Sequence, residues 1–279
     1  MPLFYIILIT ANNKLEVLMN LLFVGDVVGK GGRKAVKQLV PELKREFNCQ
    51  FSIVNGENMA SGAGLNAKCI KDIINDVNVI TTGDHVWDQK TFEHEITQFD
   101  NVLRPANLSS AQPGNGWKVF RNPACGDIAV INLQGKVFMK ESAYCPFETV
   151  ENILKEISPT VKCILVDFHA EATSEKIAMG YFLEGKVTAV LGTHSHVQTA
   201  DAKILPGGTA YITDVGMTGA ERSVLGRDID AVVAKFRYGI PRRFAVVENG
   251  IRLDAVVVSY DPNTGEASEI KNISRMASC

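Results

Sequence analysis

Short apolar runs recur along the chain, and five of them stop at residues that carry chemistry. Leu21-Leu22-Phe23-Val24 runs into Gly25-Asp26, and Phe51-Ser52-Ile53-Val54 into Asn55-Gly56-Glu57-Asn58. Val77-Asn78-Val79-Ile80 reaches Thr81-Thr82-Gly83-Asp84-His85. Lys162-Cys163-Ile164-Leu165-Val166 reaches Asp167-Phe168-His169, and Val187-Thr188-Ala189-Val190-Leu191 reaches Gly192-Thr193-His194-Ser195-His196. Length and β-branched content predict buried strands. Residues 34–47 and 66–76, between the first three runs, space Val, Leu and Ile as a helix does. Strand alternating with helix predicts an α/β fold with parallel pairing and crossover helices. In such sheets ligands gather beyond the carboxyl ends of the strands, so the five polar ends are expected to converge.

The rest of the pattern is less regular. Residues 101–144 are punctuated by Arg104-Pro105, Pro113-Gly114 and Asn122-Pro123, with one strand at Ile128-Ala129-Val130-Ile131-Asn132-Leu133. Its tail, 134–144, is placed to overhang the cleft and help select substrate. Residues 147–157 read as a helix, as do those from Glu171 to Phe182. Asn249-Gly250 reads as a hairpin turn between strands at 244–247 and 253–258, which implies a second sheet beside the first. Gly29-Lys30-Gly31-Gly32-Arg33 fits neither common phosphate-loop pattern. It reads better as a tight turn close to the centre, with Arg33 as a phosphate contact the lesser reading.

At 279 residues and 46% hydrophobic content the chain can bury a full core, so residues 19–279 are expected to form one domain. Residues 1–18 read as an appendage: Met1 to Thr10 is apolar, but too short to span a bilayer and without signal-peptide features. No membrane association is expected. A net charge of −2 gives no support for phosphate-neutralising contact with duplex nucleic acid. The six cysteines show no C-x-x-C spacing and suit reduced thiols of a cytoplasmic protein. A homo-oligomer is compatible with the sequence.

The polar ends supply the ligands of a dinuclear metal site. Asp26, Glu57 and Asp84 bring anionic oxygens, His169, His194 and His196 bring nitrogens, and Asn58 a neutral oxygen. Mixed nitrogen and oxygen ligation favours iron, manganese or zinc over calcium or magnesium. Two such ions activate water at neutral pH and clamp both oxygens of an in-line phosphoryl displacement. His85, next to a ligand position, is free to act as the catalytic general acid. His94 lies in a polar stretch and is expected to be exposed.

In this order the motifs resemble the calcineurin-like metallophosphoesterases. Gly25-Asp26-Val27-Val28-Gly29, Asn55-Gly56-Glu57-Asn58, Asp167-Phe168-His169-Ala170-Glu171-Ala172-Thr173-Ser174-Glu175-Lys176 and Ile212-Thr213-Asp214-Val215-Gly216-Met217-Thr218-Gly219 resemble the YmdB-like bacterial branch, which hydrolyses 2′,3′-cyclic nucleotides. The resemblance spans residues 19–258. It implies a four-layer α/β/β/α sandwich with two mixed sheets flanked by helices, and two iron or manganese ions. It further implies that Asp26, Asn58 and His196 serve one ion, Asp84, His169 and His194 the other, and that Glu57 bridges. The family's third motif is Gly-Asn-His, whereas here Gly83-Asp84-His85 adds a carboxylate that lowers the residual positive charge of the centre. The function expected is a phosphodiesterase acting on small cyclic nucleotides. The alternatives are a phosphomonoesterase on a small metabolite and a non-catalytic scaffold with an altered metal site.

Overall fold

The computed structural model describes residues 7–9, 15–139 and 143–278. Strands β1 (Ile7–Ile9) and β2 (Leu15–Val17) pair antiparallel with each other and join neither main sheet. The remainder of the expected appendage, up to residue 14, lies outside the described residues, as does the stretch 140–142 of the expected overhang.

From Met19 the predicted alternation follows. It comprises β3 (Met19–Val24), β4 (Asp26–Val27), α1 (Gly29–Glu46), β5 (Cys49–Asn55), α2 (Ala67–Ile73) and β6 (Val79–Thr81). Next come α3 (Phe92–Glu95), β7 (Trp117–Phe120), β8 (Ile128–Gln134), α4 (Pro146–Glu156), β9 (Cys163–His169), α5 (Thr173–Leu183) and β10 (Ala189–Thr193). The last elements are β11 (Lys203–Ile204), β12 (Ala210–Ile212), β13 (Met217–Ala220), α6 (Ile229–Tyr238), β14 (Ile251–Tyr260) and β15 (Ala267–Met276).

Two mixed sheets result. One runs β4-β13-β14-β3-β5-β6, with β15 paired to β14, and its strands β3, β5 and β6 are parallel. The other runs β11-β12-β10-β9-β8-β7, parallel from β12 to β8 and closed by antiparallel edges. Strand alternation explains the layering, because successive side chains point to opposite faces and both faces are covered. Leu21 and Phe23 of β3 pack between the sheets with Leu165, Leu191 and Val256, while Leu22 and Val24 pack with Val36 and Leu39 of α1. In the second sheet Ile164, Val166 and Phe168 face Val150 and Met179 of α4 and α5. Helix, sheet, sheet and helix are thus bound by three apolar interfaces, as the α/β/β/α expectation required.

Three local readings need correction. Residues 244–247 form no strand, and the late hairpin joins β14 to β15, within the first sheet. The half-buried segment makes only one antiparallel bridge among the described residues, Val246 to Arg227, with no further ladder, and Asn249-Gly250 marks a bend. Gly29–Arg33 is the first turn of α1, and Arg33 is buried, with Nε 3.0 Å from Asp72 Oδ2. A guanidinium so engaged is no phosphate contact. Helix α2 ends sooner than its spacing suggested, and Asn66 caps its start by accepting the Cys69 N–H at 3.0 Å.

Candidate metal centre

The carboxyl ends of β3, β5 and β6 in one sheet meet those of β9 and β10 in the other. Asp26 begins β4 just past β3, Glu57 and Asn58 follow β5, and Asp84 and His85 follow β6. His169 ends β9, and His194 and His196 follow β10. Asp26, Glu57, Asn58, Asp84 and His169 are buried, whereas His85, His194 and His196 are half-buried and line a cleft of about 420 Å³. His94 is exposed, as expected, and belongs to no cluster among the described residues.

Two groups of ligand-competent atoms lie within 4.8 Å of one another: Glu57, Asp84, His169 and His194 form one, and Asp26, Glu57 and His196 the other. Glu57 belongs to both. Asn58 joins the second group, its Oδ1 3.0 Å from His196 Nε2. His169 Nε2 lies 3.0 Å from Glu57 Oε2, 3.2 Å from Asp84 Oδ1 and 3.0 Å from His194 Nδ1. One proton cannot satisfy so many acceptors at one point, but a cation can. Among the described residues Asp26 Oδ1 is buried without a hydrogen-bond donor, a costly state for a carboxylate oxygen that a cation would relieve. Gly83 leaves the room: a Cβ there would overlap the Glu57 carboxylate and the His169 ring. The residues present therefore fit a pair of cations. Asp84, which stands where the resembled family has Asn, points its carboxylate into the cluster, so its extra charge acts there.

The charges are strongly coupled. Burial works against a charged His169, yet the Glu57 carboxylate, with Asp84 and Asp26, raises its pKa well above the usual histidine value. Burial also opposes ionisation of Asp84, but hydrogen bonds from His169 and His194 hold its pKa well below the usual carboxylate range. For Asp26 burial dominates and pushes the pKa far up. Burial lowers His196 to about 4, so near neutrality its imidazole is uncharged and has a lone pair to offer.

Each histidine is aimed by different means. His169 Nδ1 is 2.9 Å from Thr193 Oγ1, which donates to Asp167 Oδ1 at 2.7 Å. With the hydroxyl proton committed to Asp167, Thr193 accepts from His169 Nδ1–H, leaving Nε2 free to ligate. Asn55 links this network to the cluster, donating to Asp167 Oδ2 at 2.9 Å and accepting the Glu57 N–H at 3.1 Å.

The strand stops at Thr193, so strand alternation does not aim the H-x-H pair. His194 and His196 instead adopt left-handed backbone, φ 102° and 64°, which is strained for residues with a Cβ. Hydrogen bonds hold the strained turn: His194 N–H to Asp26 Oδ2 and Ser195 N–H to Asp214 Oδ2, both 2.9 Å. The buried Asp214 also takes Lys176 Nζ at 2.7 Å. His194 Nε2 lies 3.0 Å from Glu171 Oε2, which turns Nδ1 to the cluster.

His85 lines the cleft with its Nδ1 2.7 Å from Asp88 Oδ2. Burial resists its charge, but Glu57, Asp84 and Asp88 together raise its pKa above the usual value, favouring the protonated form. Reading the sequence missed Asp88, Glu171, Asp167 and Lys176 as supports of the site. Of these only Asp88 left a local signal, the i,i+3 spacing from His85 in a turn.

A two-sheet sandwich with this carboxylate and histidine cluster at its strand ends defines a hydrolase of the metallophosphoesterase class. The family model described as YmdB-like protein matches residues 22–273, and the chain belongs to that family. It is 44% identical over 257 residues to the 2′,3′-cyclic-nucleotide 2′-phosphodiesterase of Bacillus subtilis (strain 168), covering 91% of this chain and 96% of the relative. A crystal structure of a phosphatase from Mycoplasma pneumoniae superposes with a TM-score of 0.87 at 34% identity, covering 94% of this chain and 95% of the other. A hypothetical protein from Thermus thermophilus gives 0.85 at 33% identity, with 92% and 99% covered.

Proposed function

We propose that the chain is a metal-dependent phosphodiesterase that opens 2′,3′-cyclic nucleotides at the 2′-ester bond. The single observation that carries the reading is that Glu57 belongs to two adjoining ligand groups, the arrangement a bridged pair of cations needs. The substrate class follows the Bacillus subtilis relative. Asp26, Asn58 and His196 would hold one cation, Asp84, His169 and His194 the other, and Glu57 would serve both. Iron or manganese suits this ligand set best, with zinc next. Two divalent cations bound there would supply an acidified water and charge neutralisation for the attacking and leaving oxygens.

The chain's own residues supply the rest. As the bond from phosphorus to the 2′ oxygen breaks, that oxygen needs a proton, and His85 Nε2–H delivers it. Asp88 orients the ring through Nδ1 and, after Glu57 and Asp84, helps raise its pKa. Residues 19–279 act as one catalytic domain, with 1–18 an appendage. The described cysteines are all free thiols, which fits a reducing cytoplasm, and no described helix is long and apolar enough to cross a membrane.

The test is a substrate panel on manganese-loaded protein: 2′,3′-cyclic AMP, a chromogenic diester and a chromogenic monoester, before and after chelation. Fastest turnover of the cyclic diester, lost on chelation, is expected. Protein that binds neither manganese nor iron, or cleaves only the monoester, would sink the reading.

A further inference from the structure

We propose that α6 and the segment after it form a landing surface for single-stranded nucleic acid. The substrates would then include oligonucleotides that end in a 2′,3′-cyclic phosphate. The proposal rests on the phosphodiesterase reading and widens its substrate class.

The stretch is Lys235-Phe236-Arg237-Tyr238-Gly239-Ile240-Pro241-Arg242-Arg243, four cations and no acid, in a chain whose net charge is −2. Every one of these residues is exposed, Phe236 at 82%, Tyr238 at 56% and Ile240 at 55%. None of the four cations takes part in an ion pair among the described residues. Instead Lys235 Nζ sits over the Phe244 ring and Arg237 over the Tyr238 ring, each 5.1 Å from the centroid. Aromatic faces left in water cost free energy, so a cluster of them marks a contact surface. Aromatics interleaved with unpaired cations suit unpaired bases and phosphates.

Continuity with the metal centre decides what that contact is for. Val232, Lys235 and Phe236 line the same cleft as Glu57, His85, His194 and His196. At about 420 Å³ the cleft is at the lower end of the about 300–1,000 Å³ typical of small-molecule sites, room for a terminal nucleotide. Nucleotides before it can leave past Lys235 and Phe236 onto the exposed basic arm formed by residues 235–243. A duplex is a poor occupant, because its bases present no free faces to stack. A second copy of this chain is also disfavoured. A two-fold contact sets the same patch against itself, and four unpaired cations would then meet four more.

Two measurements test this on the manganese-loaded protein. One compares kcat/KM for cyclic UMP with that for a short oligouridylate ending in a 2′,3′-cyclic phosphate. The other follows anisotropy of a labelled oligouridylate 3′-phosphate against salt. The wild-type chain should favour the oligonucleotide about tenfold or more, and Phe236→Ala should erase most of that preference. In Arg242→Glu/Arg243→Glu the salt slope should fall by about 0.7 for each phosphate no longer neutralised. Turnover of cyclic UMP with no preference for the oligonucleotide would overturn the arm while leaving the phosphodiesterase reading intact. No turnover of either would remove both. Variants that change self-association on sizing but not the preference would also overturn it, assigning the patch to contact between copies.

Discussion

The two halves of the centre are built on opposite principles. His169 ends a regular strand, fully buried, with its tautomer set by the Thr193–Asp167 relay. His194 and His196 sit half-exposed on a left-handed turn that the sheet does not dictate, held by Asp26, Asp214 and Lys176. The first half derives its geometry from the pleat and needs only fine adjustment. The second half carries strain of about 1–3 kcal/mol per left-handed residue, which the buried ion pair and its hydrogen bonds must offset. Position set by regular structure is robust to the removal of one neighbour, whereas position set by a strained loop depends on every partner it has.

The largest effect should come where the halves touch. Gly83→Ala drives a Cβ into Glu57 and His169, so metal analysis should show at least one ion lost and activity should fall further than the about 10–100-fold of supporting changes. Retained occupancy and activity would mean the cluster is looser than its distances imply.

Lys176→Met should come next, leaving Asp214 buried and unpaired beneath the H-x-H turn. Breaking a buried pair in this way costs about 3–5 kcal/mol, to be read by denaturant unfolding of the metal-free protein. Spectroscopy of the loaded protein should show the His194 and His196 imidazoles perturbed more than that of His169. An equal disturbance would contradict the contrast between the halves.

Thr193→Val should leave the fold intact and weaken metal binding about 10–100-fold, because His169 loses the acceptor that fixes its Nδ1 proton. The smallest effect expected is a shift in pH dependence. A general acid must be protonated to act, and a raised pKa keeps it so to higher pH. Asp88→Asn removes one of the groups raising His85, so the falling limb of the pH–rate profile should move to lower pH with metal content unchanged. A limb that stays in place would assign the alkaline fall to another group.

Much of this architecture was legible in one dimension. Leu21-Leu22-Phe23-Val24 and its counterparts announce strands buried on both faces, because a run without polar interruption can satisfy only such a place. The seven polar residues at the ends of such runs are the ones brought together. By contrast, the 244–247 segment looked like a strand, and β15, with its mostly exposed face, left too faint a pattern to be read. Alternation reports burial, and an edge strand with little burial has little to report.

The order of apolar runs and their polar ends dictates which residues arrive, because parallel pairing delivers each run's last residue to the same end of its sheet. How they face one another comes from the packing of the two sheets. The left-handed backbone of His194 and His196, the Lys176–Asp214 pair beneath it and the Asp167 relay join residues far apart in the chain, and so does the bare arm that borders the cleft. Long-range hydrogen bonds and strain depend on where two sheets meet, and no local spacing encodes that meeting.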